Sequence, residues 1–494
     1  MENLGLKKIL LSLHCLLLSF CLNAERSPFD MNNQASPIGS LLMFSGSGRT
    51  SALPSPTNTA FQYSQTDYTT YTGSTLSISA PSITSGSVSS FSISPTLPNG
   101  LALDTATGSI NGVPTGSTSN QTYTITGKGQ INDATSTLSI KIGSTSAAGL
   151  VGQSSFNFSG GGSGNSSING LYDISLDSNS NLYIADSNNN RALIFLSGSS
   201  SASTVFGQFG SYASIAINNG GISADSLFSP RGITVDNSGN LFIADTSNNR
   251  ILYYLPGSTT ATRVYGQLGN FTTGTINNGG ISANSLAGPY KPTVDADGNL
   301  YIANLFAHRV LYYPAGSTTA TRVYGQLGSF TTNTLNNGGI SADSLNAPVG
   351  TALDANGNLY IADRQNNRVL VYPPGSTTAT KVFGQFGSFT TNTANNGGVS
   401  ANSLSAPTGI TIDTNGNVYI ADSANHRVLY YPTGTTTATR VFGQMNSFTS
   451  NTANNGGITA SSLNTPYSVA VDIKNNKLYV ADNGNNRVVI FYVP

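Results

Sequence analysis

The 494-residue chain has no tryptophan, three histidines and two cysteines. Both cysteines, Cys15 and Cys21, lie in an apolar run near the N-terminus. If that run is removed, no thiol is left and no disulfide question arises. Glutamate occurs only at Glu2 and Glu25, so nearly all the acids are aspartates. Charged residues make up 9 % of the chain, against about 25 % in an ordinary globular domain. With a formal net charge of zero, long-range attraction to nucleic acid or to an anionic membrane has no source. No stretch carries a long helical period. What fills the chain is Gly, Ser, Thr and Asn between short apolar segments, 54 residues of it glycine. This is an all-β composition, with a surface wetted by hydroxyls and amides rather than ions.

Lys7 and Lys8 precede the apolar segment Ile9 to Leu22, which is too short to span a bilayer well. Residues 1–24 are predicted to be an export signal. Leu18-Ser19-Phe20-Cys21 resembles a bacterial lipobox, which would make Cys21 a lipid-attachment site, although Phe20 stands where that motif prefers a small residue. Residues 25–62 are rich in Ser, Pro, Asn and Gly and read as a flexible tether. In residues 63–145, alternating segments such as LSISA, FSISP, YTITG and LSIKI predict the strands of a small β-sandwich. Within it, Ile93 to Pro114 carries P-x-L-P-x-G-L-x-L-D followed by T-G-x-I-x-G-x-P. The pattern falls on Pro95, Leu97, Pro98, Gly100, Leu101, Leu103, Asp104, Thr107, Gly108, Ile110, Gly112 and Pro114. This stretch resembles the immunoglobulin-like (cadherin-like) module of bacterial surface proteins, which implies display or adhesion rather than catalysis.

From residue 147 the chain is periodic. Asp177, Asp236, Asp295, Asp354, Asp413 and Asp472 follow one another at intervals of 59 residues. Each copy predicts four short strands, in the second copy Gly232 to Asp236, Asn240 to Asp245, Arg250 to Leu255 and Thr262 to Gln267. Tight turns join them, and a long link leads to the next copy. That is the grammar of a propeller blade. The sixth copy stops after its third strand, and an orphan fourth strand stands upstream at Ala147 to Phe156. Pairing the two ends leaves no sheet edge exposed. The expectation is an all-β chain whose residues 147–494 form a six-bladed β-propeller closed by an N-terminal strand, preceded by the small sandwich.

The unit P-x-G-I-T-V-D-x-x-G-N-L-x-I-A-D-x-x-N-N-R-I is clearest at Pro230, Gly232, Asp236, Gly239, Asn240, Ala244, Asp245, Asn249 and Arg250. It resembles the NHL-repeat family of β-propellers over residues 147–494. The copies exceed the usual propeller repeat of about 40–50 residues. The excess lies between the fourth strand and the next first strand, as in Gly328 to Pro348. In a propeller these insertions and the D-x-x-N-N-R loops emerge on one face, which is where a ligand is expected.

Several candidate sites stand out. Asp186/Arg191, Asp245/Arg250, Asp363/Arg368, Asp422/Arg427 and Asp482/Arg487 recur at one position, with Asn304/Arg309 in the third copy. A group present in every copy reads as construction, with Asp capping its own loop and Arg bracing a neighbour by bidentate hydrogen bonds. The turns Asp295 to Asn299 and Asp354 to Asn358 look like calcium loops but lack the distal glutamate, so no metal is expected there. Related six-bladed enzymes include lactonases, strictosidine-synthase-like enzymes and peptide-amidating lyases. The resemblance implies a channel glutamate for the first two and a histidine cluster on zinc for the third. Beyond the signal only His308 and His426 remain, and no nucleophile constellation is legible.

The third copy breaks the pattern. It reads YIANLFAHRV, entered by PYKPTVD. Tyr290, Leu305, Phe306 and His308 are therefore predicted to form an apolar, aromatic patch on the loop face. The function expected is that of a non-enzymatic, exported bacterial envelope or surface protein binding a protein or glycan. No cofactor, no metal and no nucleic acid are expected, and membrane contact only through an N-terminal lipid. The rival is a lyase- or lactonase-type enzyme with a metal in the central channel.

Overall fold

A computed structural model describes residues 57–72, 75–144 and 146–493. The predicted export signal, Cys21 and most of the predicted tether lie outside the described residues. The described chain is all-β, and its only helical elements are single 3-10 turns of three residues. No helix among the described residues is long and apolar enough to cross a membrane.

Residues 60–143 form three small sheets. Asp67–Tyr71, Ala134–Gly143, Thr118–Gly129 and Val88–Ser94 make a four-stranded sheet. Leu76–Ile78, Ile110–Gly112 and Leu101–Leu103 make a second, and Ala60–Gln62 with Ser82–Ser85 a third. One core of Phe61, Ile78, Phe91, Ile110, Ile125, Leu138 and Ile140 holds them together. The first described strand begins at Ala60, slightly before the predicted residue 63. Asp104 of the L-x-L-D motif closes its turn by accepting the N–H groups of Ala106 and Thr107 at 2.8 and 3.1 Å.

Residues 149–492 form six four-stranded antiparallel sheets. In the second copy the strands are Gly232–Val235, Leu241–Asp245, Arg250–Tyr254 and Arg263–Tyr265. The second strand is apolar on both faces and fully buried, because a neighbouring sheet covers each side. Its entry turn is set by Asp236, whose Oδ1 accepts the N–H groups of Ser238 and Asn240 at 2.9 Å each. The sixth copy supplies Pro466–Asp472, Lys477–Asp482 and Arg487–Tyr492. The fourth place is taken by Gly149–Val151, paired antiparallel from Gly149 opposite Ile490 to Val151 opposite Val488.

The first strands neighbour one another in chain order, and the first strand of copy six also packs on that of copy one. The core is therefore layered between sheets. Aromatic pairs recur from one fourth strand to the next third strand: Phe206 with Tyr254 at 5.2 Å, Tyr265 with Tyr313 at 5.4 Å, Tyr324 with Tyr372 at 5.2 Å. These edge-to-face contacts add to the burial of their rings.

The two regions touch. The Arg440 guanidinium lies 3.4 Å from the centre of the Tyr71 ring, and Asn446 Nδ2 donates to the Thr72 carbonyl at 2.9 Å. Ser146 and Ser461 share a hydroxyl hydrogen bond of 2.7 Å.

Candidate binding face

The antiparallel order returns two segments to the same end of every sheet: the loop after the second strand and the long insertion after the fourth. The aspartate–arginine pairs tie them together. Asp363 Oδ2 accepts Arg368 Nε at 2.8 Å and Asn366 Nδ2 at 2.7 Å, and its Oδ1 accepts the N–H of Asn346 at 2.6 Å. Arg368 then donates to the carbonyls of Phe389, Ser341 and Ser344 at 2.5, 2.9 and 3.0 Å. One guanidinium thus holds the insertions before and after its own sheet. Both side chains are fully buried, and burial holds the Asp363 carboxyl above its ordinary range while Arg368 pulls it back. The aspartate does not cap its own loop as expected: the 3-10 turn after it carries no side-chain cap. The amide it satisfies belongs to the insertion entering the same copy.

The same correction applies to the other pairs. Asp186 Oδ2 accepts Arg191 Nε at 2.6 Å, Asp422 Oδ2 accepts Arg427 Nε at 2.8 Å, and Asp482 Oδ2 accepts Arg487 Nε at 2.7 Å. These six side chains are all fully buried, and no side chain caps the turns after Asp186, Asp422 and Asp482. Arg191 and Arg427 do brace neighbouring loops as expected, and the acceptors are backbone carbonyls of the two flanking insertions. Each grips the aspartate of its own copy through Nε alone and spends its remaining donors on backbone carbonyls. Arg191 donates to Tyr212, and to Gly164 and Ser167 at 2.9 and 3.0 Å. Arg427 donates to Phe448, Ser400 and Ser403 at 2.6, 2.9 and 3.0 Å. The reason is burial: a guanidinium removed from water needs both a counter-charge and an acceptor for every donor, and one carboxylate cannot supply all of them.

The third copy lacks the carboxylate. Asn304 Oδ1 still accepts the Ala287 N–H at 2.7 Å, but Asn304 Nδ2 and Arg309 Nε, both buried, have no partner. Desolvation pushes the Arg309 guanidinium down to about 10.

Each 3-10 turn that follows a second strand ends on a left-handed residue, and that residue reaches the next sheet. Asn249 Oδ1 accepts the Gly288 N–H at 2.9 Å, and Asn486 Oδ1 accepts the Gly170 N–H at 2.8 Å. His308 and His426 stand at the same position and use Nδ1 instead, accepting from Ala347 at 3.1 Å and Thr465 at 3.0 Å. Both histidines are spent as links between sheets. Asp295 is spent likewise, on the amides of Asp297 and Asn299 in its own turn. Among the described residues no three His, Cys, Asp or Glu side chains stand together as metal ligands.

The first strands converge on an axis. The motif glycine is required there by close approach: a Cβ on Gly350 would lie 1.9 Å from the Thr408 carbonyl oxygen, and one on Gly409 2.6 Å from Ser468 Cα. In copies one, three and six that glycine is replaced by Asp173, Lys291 and Ser468, and the replacements find each other. Lys291 Nζ lies 3.0 Å from Asp173 Oδ1, which also accepts the Ser468 hydroxyl at 2.5 Å. One residue earlier, at the mouth, stand Tyr172, Arg231, Tyr290 and Tyr467. The Arg231 guanidinium sits 4.6 Å from the Tyr172 ring centre and donates to the Tyr290 hydroxyl at 2.6 Å. Tyr172 meets Tyr467 edge to face at 4.7 Å. The buried Nε atoms of Arg231 and Arg364 have no partner. The void below encloses only about 10 Å³, room for at most one water. At the opposite end the axis widens to about 230 Å³, lined by aliphatic residues together with Ser175, four threonines and Lys291.

The four residues predicted as one patch are divided. Tyr290 belongs to the axial cluster and is 6 % exposed. Leu305 packs on the core that contains Tyr290, and His308 is an inter-sheet link. Phe306 alone projects, at 57 % exposure, with its ring over Gly288. The axial arginine Arg231 was not singled out in the sequence, although its position differs in every neighbouring copy. Nor was Gln267, whose Nε2 pins the insertion by donating to the Asn249 and Thr275 carbonyls at 2.9 and 2.8 Å.

The family model for the NHL repeat matches residues 229–253, 345–372, 404–436 and 463–491. The chain carries NHL repeats in four places. Copies one and three, with Asp173 and with Lys291 and Asn304, fall outside the matched segments. No curated protein matches the chain. Among solved structures, a streptogramin B lyase shares 13 % identity over 70 % of this chain and 87 % of its own, with a TM-score of 0.39. An auxiliary nutrient binding protein from Bacteroides thetaiotaomicron shares 14 % over 89 % and 99 %, with a TM-score of 0.46. An aldose sugar dehydrogenase from Streptomyces coelicolor shares 12 % over 70 % and 97 %, with a TM-score of 0.42. At these values function has to come from the chain's own residues.

Proposed function

We propose that residues 147–494 are a closed six-bladed propeller, carried on an immunoglobulin-like sandwich, in an exported bacterial envelope or surface protein that binds a protein or glycan through its loop face. The observation that carries this reading is the non-repeating centre of a repeating frame. Asp–Arg pairs, glutamines and turn asparagines recur from copy to copy and are consumed in holding loops. The position before the motif glycine is not kept in all copies, and its Tyr172, Arg231, Tyr290 and Tyr467 meet at one point on the loop face. Aromatic and guanidinium groups in this arrangement are the usual anchors of macromolecular contacts. With only about 10 Å³ beneath them, the cluster offers a surface rather than a substrate chamber.

A propeller enzyme is the weaker reading because residues 147–494 contain no glutamate and both available histidines are engaged in inter-sheet hydrogen bonds. The test is saturable binding on glycan and envelope-protein arrays by the full chain, compared with Arg231→Ala and with Leu305→Ser/Phe306→Ser. Binding that saturates and is lost in Arg231→Ala, with the circular dichroism unchanged, supports the reading. Stoichiometric zinc or calcium in the purified protein, with turnover of a lactone or amide, replaces it.

A further inference from the structure

Five turns on the loop face break a local rule in the same way. After five of the six fourth strands the chain reads Gln-Phe-Gly, Gln-Leu-Gly, Gln-Leu-Gly, Gln-Phe-Gly and Gln-Met-Asn, while Gly149–Val151 is followed by Gln153-Ser154-Ser155. Each turn closes from the N–H of the residue after this pair to the glutamine carbonyl, as from Ser211 to Gln208 at 2.9 Å. Phe209, Leu268, Leu327, Phe386 and Met445 all take left-handed φ values, between 49° and 53°. With left-handed Gly210 behind Phe209, this is the geometry of a type I′ turn, whose first central position favours Asn, Asp or Gly. The chain is rich in asparagine and uses it at φ 50° elsewhere, at Asn395 and Asn486. Here it places a large apolar side chain five times, and leaves it 58 to 65 % exposed. The part that is covered lies against a glycine of the same insertion: a Cβ on Gly220 would meet the Phe209 ring at 2.9 Å, and one on Gly338 would meet Leu327 at 3.1 Å. Single exposed apolar residues need no explanation, but one repeated at a fixed and strained position does.

The chemistry of these knobs selects what they touch. Phe, Leu and Met occupy equivalent positions, so what the copies keep is apolar bulk, not ring shape. A sugar face would require planar rings, and a protein pocket would require one shape per site. Each knob stands on its own turn, outside the axial cluster, at the outer edge of its sheet, and the turn of Met445 also touches the N-terminal sheets, through Asn446 Nδ2 and the Thr72 carbonyl. The five insertions from Gln208, Gln267, Gln326, Gln385 and Gln444 to the next proline hold two acids, Asp225 and Asp343, and no base. Nothing there would draw the face to anionic headgroups. Three insertions add a second exposed apolar residue, Ile217 at 58 %, Ile276 at 53 % and Leu335 at 56 %. A soft, electroneutral and shape-indifferent apolar phase satisfies all of these features, and lipid is such a phase.

We propose that these five turns seat the loop face on an electroneutral lipid surface, with Phe209, Leu268, Leu327, Phe386 and Met445 inserted at the headgroup–acyl boundary. This goes beyond the partner-binding reading and does not rest on it, because the knobs lie outside the Tyr–Arg centre.

The absence of tryptophan makes the test site-specific in the full chain. Phe209→Trp places a reporter on a knob, and Leu255→Trp places one on the turn between third and fourth strands, at the opposite end of the sheet, where Leu255 is 47 % exposed. Leu268→Trp replaces the first variant should it not fold. Phosphatidylcholine vesicles with brominated acyl chains are added. The expected result is a blue shift and at least twofold quenching at position 209 or 268, unchanged in 0.5 M salt, with no quenching at 255. Equal quenching at both ends, or none at either, overturns the proposal, and so does a blue shift without quenching that grows with protein concentration, which would mark contact with a second copy. An N-terminal lipid anchor alone leaves both reporters unquenched and counts against it.

Discussion

Asn304 stands beside Arg309 where the other five copies set an aspartate beside the same arginine. The substitution removes one negative charge from a site of zero exposure and leaves two donors, Asn304 Nδ2 and Arg309 Nε, without acceptors. In the equivalent place Asp245 Oδ2 accepts Arg250 Nε at 2.7 Å and Asn248 Nδ2 at 2.8 Å. An uncompensated buried charge is costly, and supplying its partner recovers part of that cost.

Asn304→Asp is therefore expected to stabilise the chain by about 1–3 kcal/mol, read as a higher denaturation midpoint. Asp363→Asn, which recreates the third-copy arrangement in the fourth, is expected to destabilise by about 3 kcal/mol. A fall in midpoint for Asn304→Asp would mean that the local packing has adapted to the amide.

The histidine links predict a dependence on pH. Burial depresses both His308 and His426 below 6.5, and Nδ1 of each must stay unprotonated to accept its backbone N–H. The folded state thus binds fewer protons than the unfolded one, and stability falls as pH drops from about 6.5 through the lower folded values. Replacing both by Asn, the residue used at Asn249 and Asn367, is expected to flatten this acid-side slope in thermal melts between pH 7 and 5. An unchanged slope would mean that the two histidine links do not set the acid-side stability.

These cases mark how far the sequence could be read. Period, strand pattern and orphan strand were legible because they rest on apolar alternation and turn chemistry, which are local. The partner of Gly149–Val151 followed from counting strands. That Arg191, Arg427 and their equivalents serve construction was legible from their recurrence, but their acceptors were not, since Arg191 reaches carbonyls 21 to 27 residues away in two different insertions. The centre was harder to see, because Tyr172, Arg231, Tyr290 and Tyr467 lie roughly 60 or more residues apart and only the convergence of first strands brings them together. Tyr290 was grouped with Leu305, Phe306 and His308 on proximity along the pattern. The register of the strand Pro289–Val294 instead turns it to the axis, while the 3-10 turn sends Phe306 to solvent. The turn knobs were visible as letters but not as exposed, left-handed residues, since apolar side chains at such a position normally signal a strand.

Four buried tyrosines carry hydroxyls without partners. Tyr254, Tyr313, Tyr372 and Tyr431 end the third strands of copies two to five, each fully buried, and burial pushes their phenols far above the ordinary range. Phe195 and Phe491 fill the same place in copies one and six. Since a buried hydroxyl without an acceptor is penalised, each Tyr→Phe exchange is expected to be neutral or stabilising by up to about 1 kcal/mol. A loss of more than that in denaturant unfolding would reveal an ordered water on the hydroxyl.

The link from Asn486 to Gly170 joins residues 316 apart and has the same form as that from Asn249 to Gly288. Each asparagine also donates through Nδ2, to Ser159 in one case and Gly274 in the other, at 3.0 and 2.9 Å. Truncating either to alanine removes two hydrogen bonds and strains a left-handed position, a local loss of about 2 kcal/mol. The local losses should match, but their consequences should not. Asn249 belongs to a stretch of chain that runs continuously into the next sheet, whereas the strand following Asn486 is tied to the segment holding Gly170 by its pairing with Gly149–Val151. Asn486→Ala is thus expected to speed amide exchange in Gly149–Val151 and Arg487–Tyr492 at least tenfold, while Asn249→Ala leaves those strands protected. Equal protection of the end strands in both variants would show that strand pairing alone holds the ends.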